Sequence, residues 1–215
     1  MIRKSALLLI FIQLTLVSLS GSNIRDYFSN MPDSIMPLLT KTDRLDMIDF
    51  LDSDMRAVVI NRFKGSSELL ALSDYYLNMN YTEKSNYQIR LFFKADSIPI
   101  ICVVHTVKSG DYQDSKLKFY DDNWNVLDNG RLIKEPLFDD YFVKSTLKSD
   151  SLKAIKERIT LNFQHIEVFL EKTELRFRLK GIEYNENEVG LVDHLAECNP
   201  MVFVWKGDKF KRKRR

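Results

Sequence analysis

Three histidines, His105, His165 and His194, are the side chains whose ordinary titration falls nearest neutral pH, so acid–base chemistry would rest on them. His105 lies in an apolar run, with Val103 and Val107 as its neighbours by parity; a histidine so placed is ordinarily a hydrogen-bonded core or edge residue. Catalysis would need His105 or His165 within hydrogen-bond reach of a carboxylate or hydroxyl, in a cleft. The chain has no Gly-x-Ser-x-Gly elbow, and Cys102 carries no nucleophile signature. With 7 glycines it also has no phosphate-cradling loop. No residue is assigned a catalytic role on this reading.

Metal chemistry fares no better. Asp43, Asp46, Asp49, Asp52 and Asp54 invite it, but each three-residue step along a helix falls about 60° short of a turn. Asp43 to Asp52 therefore spread over half the circumference instead of converging on one ion. Asp43 and Asp46 suit a helix N-terminus, where the dipole favours negative charge. Asp121-Asp122-Asn123-Trp124-Asn125 opens like a calcium loop, yet Val126 and Leu132 stand where that loop needs glycine and glutamate. A polar turn is the expectation. Neither CxxC nor HxxxH spacing exists, so no metal and no cofactor is expected. Cys102, inside the apolar stretch 98–104, reads as a buried small hydrophobe. Two free thiols are expected, with a Cys102–Cys198 disulfide as the alternative.

Aromatic residues are plentiful: 14 Phe, 9 Tyr and 2 Trp. Tyr75, Tyr76, Tyr81 and Tyr87 cluster. Aromatic strands chiefly fill cores, but tyrosines on an outer sheet face also make contact surfaces, each joining a flat apolar ring to a hydroxyl. These four are the candidate surface-contact residues.

The N-terminus has the parts of a secretory signal. Arg3 and Lys4 precede the apolar run from Ala6 to Val17, and Ser18 and Ser20 place small residues before Gly21. Residues 1–20 are expected to be a cleaved signal peptide and the mature protein to be periplasmic or secreted. The run is shorter than the roughly 20 residues of a membrane span, and no later stretch is long enough. Without Arg3 and Lys4, Lys+Arg and Asp+Glu balance at 30 each, and six of those cations fall among residues 209–215. The body is thus mildly acidic, which excludes the distributed basic face of a nucleic-acid binder. The basic tail, 209–215, holds Phe210 as its one apolar residue and reads as a frayed terminus that offers charge to an anionic membrane.

The elements that must carry these residues are helices followed by strands. Residues 31–56 read as helical, with Asp33 or Ser34 as one N-cap and Thr42 as another, and with Leu45, Ile48, Leu51 and Met55 along one face. From Ser66 the period becomes two. Tyr87, Ile89, Leu91 and Phe93 alternate with Gln88, Arg90 and Lys94, the mark of a strand with one wet face. Residues 98–107 suit a central strand covered on both faces, and Leu117 and Phe119 continue the pattern, making four strands in a meander. The second half repeats this order: a helix within 139–159 with Leu152, Ile155 and Ile159 on one face, strands at 166–170, 175–179 and 201–205, and a short helix at 187–197. The fold class is α+β, either two related halves or one continuous antiparallel sheet with helices on one side. The expected organisation is a signal at 1–20, a helix-pair and strand half at 21–125, a linker at 126–136, a second half at 137–208 and the tail.

Residues 28–34, Phe-Ser-Asn-Met-Pro-Asp-Ser, with Pro37-Leu38-Leu39 and Arg44 to Phe50, resemble a domain-of-unknown-function family of small exported proteins of Gram-negative bacteria, of the Bacteroidetes type. Ile101 to Val104, Asp114-Ser115, Phe119-Tyr120-Asp121, Trp124 and Trp205 carry the likeness further, and Met31-Pro32-Asp33-Ser34 is its most specific part. The resemblance implies export and no established activity, and it assigns no functional residues. The function expected is a periplasmic or surface binding module for a protein, peptide or glycan. A hydrolase with a dispersed site and a structural subunit of an envelope assembly are the alternatives.

Overall fold

The computed structural model describes residues 23–110, 112–142, 161–183 and 200–213, with Asp150, Lys153 and Glu157. The expected signal, the helical face of Leu152, Ile155 and Ile159, the 187–197 helix, His194, Cys198, Arg214 and Arg215 lie outside the described residues. Among those described, the fold is α+β: helices α1 (Ile24–Ser29), α2 (Lys41–Asp52) and α3 (Asn129–Leu132), a 3-10 helix (Phe138–Phe142) and eleven antiparallel strands in two sheets.

Reciprocal capping boxes start the first two helices. Asn23 caps α1, with Asp26 answering it. Thr40, not Thr42, caps α2: its hydroxyl accepts from the Asp43 N–H at 3.1 Å, and the Asp43 carboxylate accepts from the Thr40 N–H at 2.7 Å. Residues 31–39 are a chain of turns and not the expected helix. The carbonyls at their two ends, Met31 and Leu39, accept from Arg44, which is 1% exposed. The guanidinium donates to Leu39 O at 2.9 Å, Met31 O at 2.7 Å and Ser29 O at 3.5 Å, and it reaches the Asp33 carboxylate at 3.3 Å. Arg62 grips the same segment from outside through Asp33 and Pro37 O. The buried face of α2 is consequently Arg44, Met47 and Ile48, with Leu45 turned out to solvent.

The first sheet is a seven-stranded meander in the order β1 (Ala57–Ile60), β2 (Ser66–Leu72), β3 (Tyr76–Thr82), β4 (Ser85–Phe93), β5 (Pro99–Ser109), β6 (Tyr112–Tyr120), β7 (Val126–Leu127). It adds β1 and β7 at the edges of the expected four strands, and a break at residues 73–75 divides the first of the four into β2 and β3. The stretch 126–136 holds β7 and α3 and buries Leu132 and Ile133. The second sheet has the order β11 (Phe210–Arg212), β10 (Met201–Trp205), β9 (Glu174–Glu183), β8 (Leu161–Val168).

Two cores follow from the two faces of the first sheet. One face packs on α1, α2 and the 31–39 turns through Ile24, Phe28, Met36, Met47, Met79, Ile89 and Ile101. The other packs on the second sheet through Phe92, Cys102, Val104, Phe119, Ile166, Phe177 and Phe203. Strand β4 therefore has no wet face. Gln88 and Arg90 point into the space between the sheets, where their hydrogen bonds are met by the second sheet. Gln88 accepts from the Val168 N–H at 3.1 Å, and Arg90 donates to Phe169 O at 2.7 Å and to Leu170 O. On β6, the Ser115 hydroxyl accepts from the Ile166 N–H at 3.1 Å and Asp114 from the Gln164 N–H at 3.3 Å. Alternate N–H groups of β8, unpaired because that strand ends its sheet, thus find partners in side chains of the first sheet, which closes an edge open to aggregation.

The basic tail is not frayed through Lys213. Residues 210–212 form β11, the Lys213 N–H donates to Val202 O at 2.7 Å, and Phe210 is 5% exposed. Its ring meets those of Phe92 and Trp205, with centroids 4.8 and 5.0 Å away. One large aromatic on the inward side of a short strand suffices to bury it, while Lys211, Arg212 and Lys213 stay in water.

Candidate functional site

Alternation along β4, β5 and β6 brings a set of unlike side chains into one cross-strand array on the helix-facing side of the first sheet. Register pairs Tyr87 with His105 and His105 with Lys116; the next row pairs Val103 with Lys118, and the third pairs Tyr120 with Val126. These rows floor a cavity of about 370 Å³, walled by Pro32, Ser34 and Ile35 on one side and by Trp124 on another. Two devices hold the walls. The Pro32–Ile35 wall belongs to the turn segment fastened around Arg44. Trp124 sits in the 121–125 turn, where the Asp121 carboxylate accepts from the Asn123 and Asn125 N–H groups at 2.9 and 2.8 Å and from the Asn125 side chain at 2.9 Å. That turn imposes φ 63° on Trp124, a conformation L-residues other than Asn and Asp rarely adopt. It places the indole edge-on to Tyr120, 5.4 Å between centroids. The Asp121 cluster is therefore a polar turn, as its spacing suggests, and its product is the position of a tryptophan.

Inside the cavity the His105 ring stacks on Tyr87 at 4.2 Å and 9°. His105 Nε2 and Trp124 Nε1 are buried and have no hydrogen-bond partner among the described residues. Buried polar atoms are nearly always paired. One of these two belongs to the floor and the other to a wall; the further unpaired buried atoms, on Arg44, Arg90, Glu167, Arg176 and Arg178, belong to residues outside the lining. The lining holds two lysines and no carboxylate.

A family profile described as "Protein of unknown function (DUF3256)" matches residues 16–210. The chain belongs to this family. The fold also matches a solved domain of an uncharacterized protein from Porphyromonas gingivalis W83, with TM-score 0.73 and 22% identity over 89% of this chain and 98% of that one. At that identity the likeness shows the fold. No curated protein matches the chain. For this DUF3256 protein the structure gives the Met31-Pro32-Asp33-Ser34 signature a physical meaning: it lends its carbonyl and carboxylate to Arg44 and its Pro32 and Ser34 to the cavity wall.

The four tyrosines singled out in sequence do not share one surface. Tyr75 is half-exposed beside Phe93. Tyr76 faces the other sheet, its hydroxyl accepting from the Gln88 amide at 3.0 Å. Tyr81 is buried on the helix side and accepts from the Leu38 N–H at 2.7 Å, bracing the same turn segment. Tyr87 alone of the four lines the cavity. Lys116, Lys118 and Trp124 carry no local signal as site residues, because only the strand register aligns the lysines with His105. Cys102 is a free thiol, fully buried between the sheets, and burial pushes its pKa far up.

His165 stands in a more suggestive place, 3.4 Å from the Ser115 hydroxyl through Nδ1 and 3.8 Å from Glu167 through Nε2. The serine oxygen is already engaged by the Ile166 N–H and by Thr106 at 2.8 Å, and Glu167 also faces Arg176 and Arg178 at 3.5 and 3.6 Å. His165 does not line the cavity. Ser115 is a strut joining the sheets, not a free nucleophile.

His105 should make the fold pH-sensitive. Burial lowers its pKa from the ordinary 6.5, with no compensating charge. As pH falls, the unfolded chain takes up this proton first, so the stability contributed by neutral His105 is full above about 6.5 and is lost toward the lower folded value. Urea midpoints of the parent should fall between about pH 7 and pH 5 more steeply than those of His105→Gln. Parallel pH profiles of the two proteins would show that His105 is not the sensor.

Proposed function

We propose that the protein is an exported binding module, periplasmic or at the cell surface, that captures its partner through the cavity under the 31–39 turns. The observation that carries this reading is the assembly of that cavity from four stretches of the chain, its two walls held by dedicated hydrogen bonds and one of them bearing a strained tryptophan. Backbone strain maintained by its surroundings clusters at ligand-holding sites. The volume lies in the range of small-ligand pockets, which also accept one unit of a longer peptide or glycan. No helix among the described residues is long and apolar enough to cross a membrane.

A fragment screen by NMR tests the proposal. Ligands should move the Trp124 indole, Tyr87 and His105 signals together, and Trp124→Ala should abolish the response. Hits that leave all three signals in place, or a diverse screen without hits, would refute it.

A further inference from the structure

We infer that the ligand of this cavity is an anion: a carboxylate carried on a compact apolar body. The inference rests on the binding reading above and adds the charge and character of what is bound. The body of the protein before its basic tail has more acids than bases, yet the eleven residues lining the cavity include Lys116 and Lys118 and not one Asp or Glu. The two lysines stand two residues apart on β6, hence on the same face and about 7 Å apart along the strand. Among the described residues neither takes part in an ion pair. Asp114, the carboxylate one step further along the same strand face, is turned to the Gln164 N–H. Two lysines with no ion pair among the described residues thus border one opening.

Of the other polar lining groups, His105 and the hydroxyls of Ser34, Tyr87 and Tyr120 donate or accept, and the Trp124 indole can only donate. A ligand group that pairs with Trp124 Nε1 therefore has to be an acceptor. A carboxylate oxygen is the acceptor that serves both an N–H donor and an ammonium, and charge-assisted bonds of this kind are roughly twice as strong as neutral ones. For the hydroxyls of a neutral sugar the lining has no Asp, Glu, Asn or Gln side chain, and its side-chain acceptors are limited to the Ser34, Tyr87 and Tyr120 hydroxyls and His105. What it offers beyond the donors is apolar and aromatic: Ile35, Val103, Val126, Tyr87 and Tyr120. The geometry therefore fits a flat apolar body seated on these side chains, with its carboxylate toward Lys116 and Lys118.

Phenylacetate, phenylacetamide and glucuronate separate the parts of the inference, titrated into the purified protein with the Trp124 indole signal as readout. Phenylacetate is expected to bind at least tenfold more tightly than phenylacetamide, which has the same shape without the charge. Lys116→Gln and Lys118→Gln, both at exposed positions and so expected to melt with the parent, should each weaken phenylacetate roughly three- to tenfold and leave phenylacetamide unaffected. Raising salt to 1 M should narrow the gap between acid and amide. Equal affinity for acid and amide, or lysine variants that bind the acid as the parent does, would overturn the charge assignment. Glucuronate binding tighter than phenylacetate would overturn the apolar body. If neutral fragments occupy the cavity and acids do not, this inference falls while the binding reading stands; if nothing occupies it, both fall.

Discussion

Phe210→Ala should cost about 3–5 kcal/mol of stability, the range for truncating a phenylalanine in a core that cannot close over the gap. The ring is 5% exposed and lies among Phe92, Phe119 and Trp205, at the edge of the layer between the two sheets. A domain of this size loses about 2–4 °C per kcal/mol, so the melting temperature should drop by roughly 6–20 °C. Ending the chain at Asp208 should cost more, because it also removes β11 from the edge of β10 and uncovers the Trp205 ring. A triple replacement of Lys211, Arg212 and Lys213 by alanine provides the contrast. Those side chains are exposed, and the variant should melt close to the parent. Unchanged melting of the chain ending at Asp208 would mean that the C-terminal strand contributes nothing to folding, against the packing described.

Arg44→Met should be destabilising by about 3–5 kcal/mol, although methionine fills much of the volume removed. Replacing a buried ion pair with apolar residues is often harmless, because both partners leave together. Here most partners are backbone carbonyls of Leu39, Met31 and Ser29, which no side-chain substitution removes. They would remain buried without a donor. Denaturant titration reads the loss. The same variant should also abolish ligand response at Trp124 under folding conditions, since the Pro32–Ile35 wall is held by those hydrogen bonds. Asp33→Asn is the control: that carboxylate is half-exposed and shared with Arg62, so its neutralisation should leave the fold largely intact. A fully stable Arg44→Met protein would show that the turn segment holds itself.

Arg44 also explains why the helical pattern misleads about α2. Counted as polar, it directs the apolar face of the helix through Leu45, whereas the guanidinium is among the most buried groups of the helix and Leu45 is 41% exposed. The pattern likewise points to Thr42 as the cap, because an apolar run follows it. Thr40 caps instead, because Asp43 occupies the third helical position after it and returns its hydrogen bond.

Much of the architecture is set by the chain's own pattern. The period-two alternation of residues 87–93 and 174–179 specifies strands wherever they are placed, because neighbouring side chains of a strand must point to opposite faces. The run of apolar residues from Ile98 to Val104 specifies a strand covered on both sides, and the Asp121 turn follows from short polar side chains that bond their own backbone. Alternation states that two faces differ and leaves open what each will meet. Gln88, Arg90 and Ser115 have the polarity of a solvated face, yet they lie between the sheets, since β8 and the residues after it bring distant backbone N–H and C=O groups for them to satisfy. The cavity has the same origin. Tyr87, His105, Lys116 and Lys118 become neighbours through the register of three strands, and Trp124 joins them through a left-handed backbone that the turn imposes. Local sequence determined the central strands, the second helix and the Asp121 turn; tertiary packing decided the 31–39 turns, the edge strands and what the polar faces bind, because a hydrogen bond between distant segments depends on register and layer order, which no local pattern encodes.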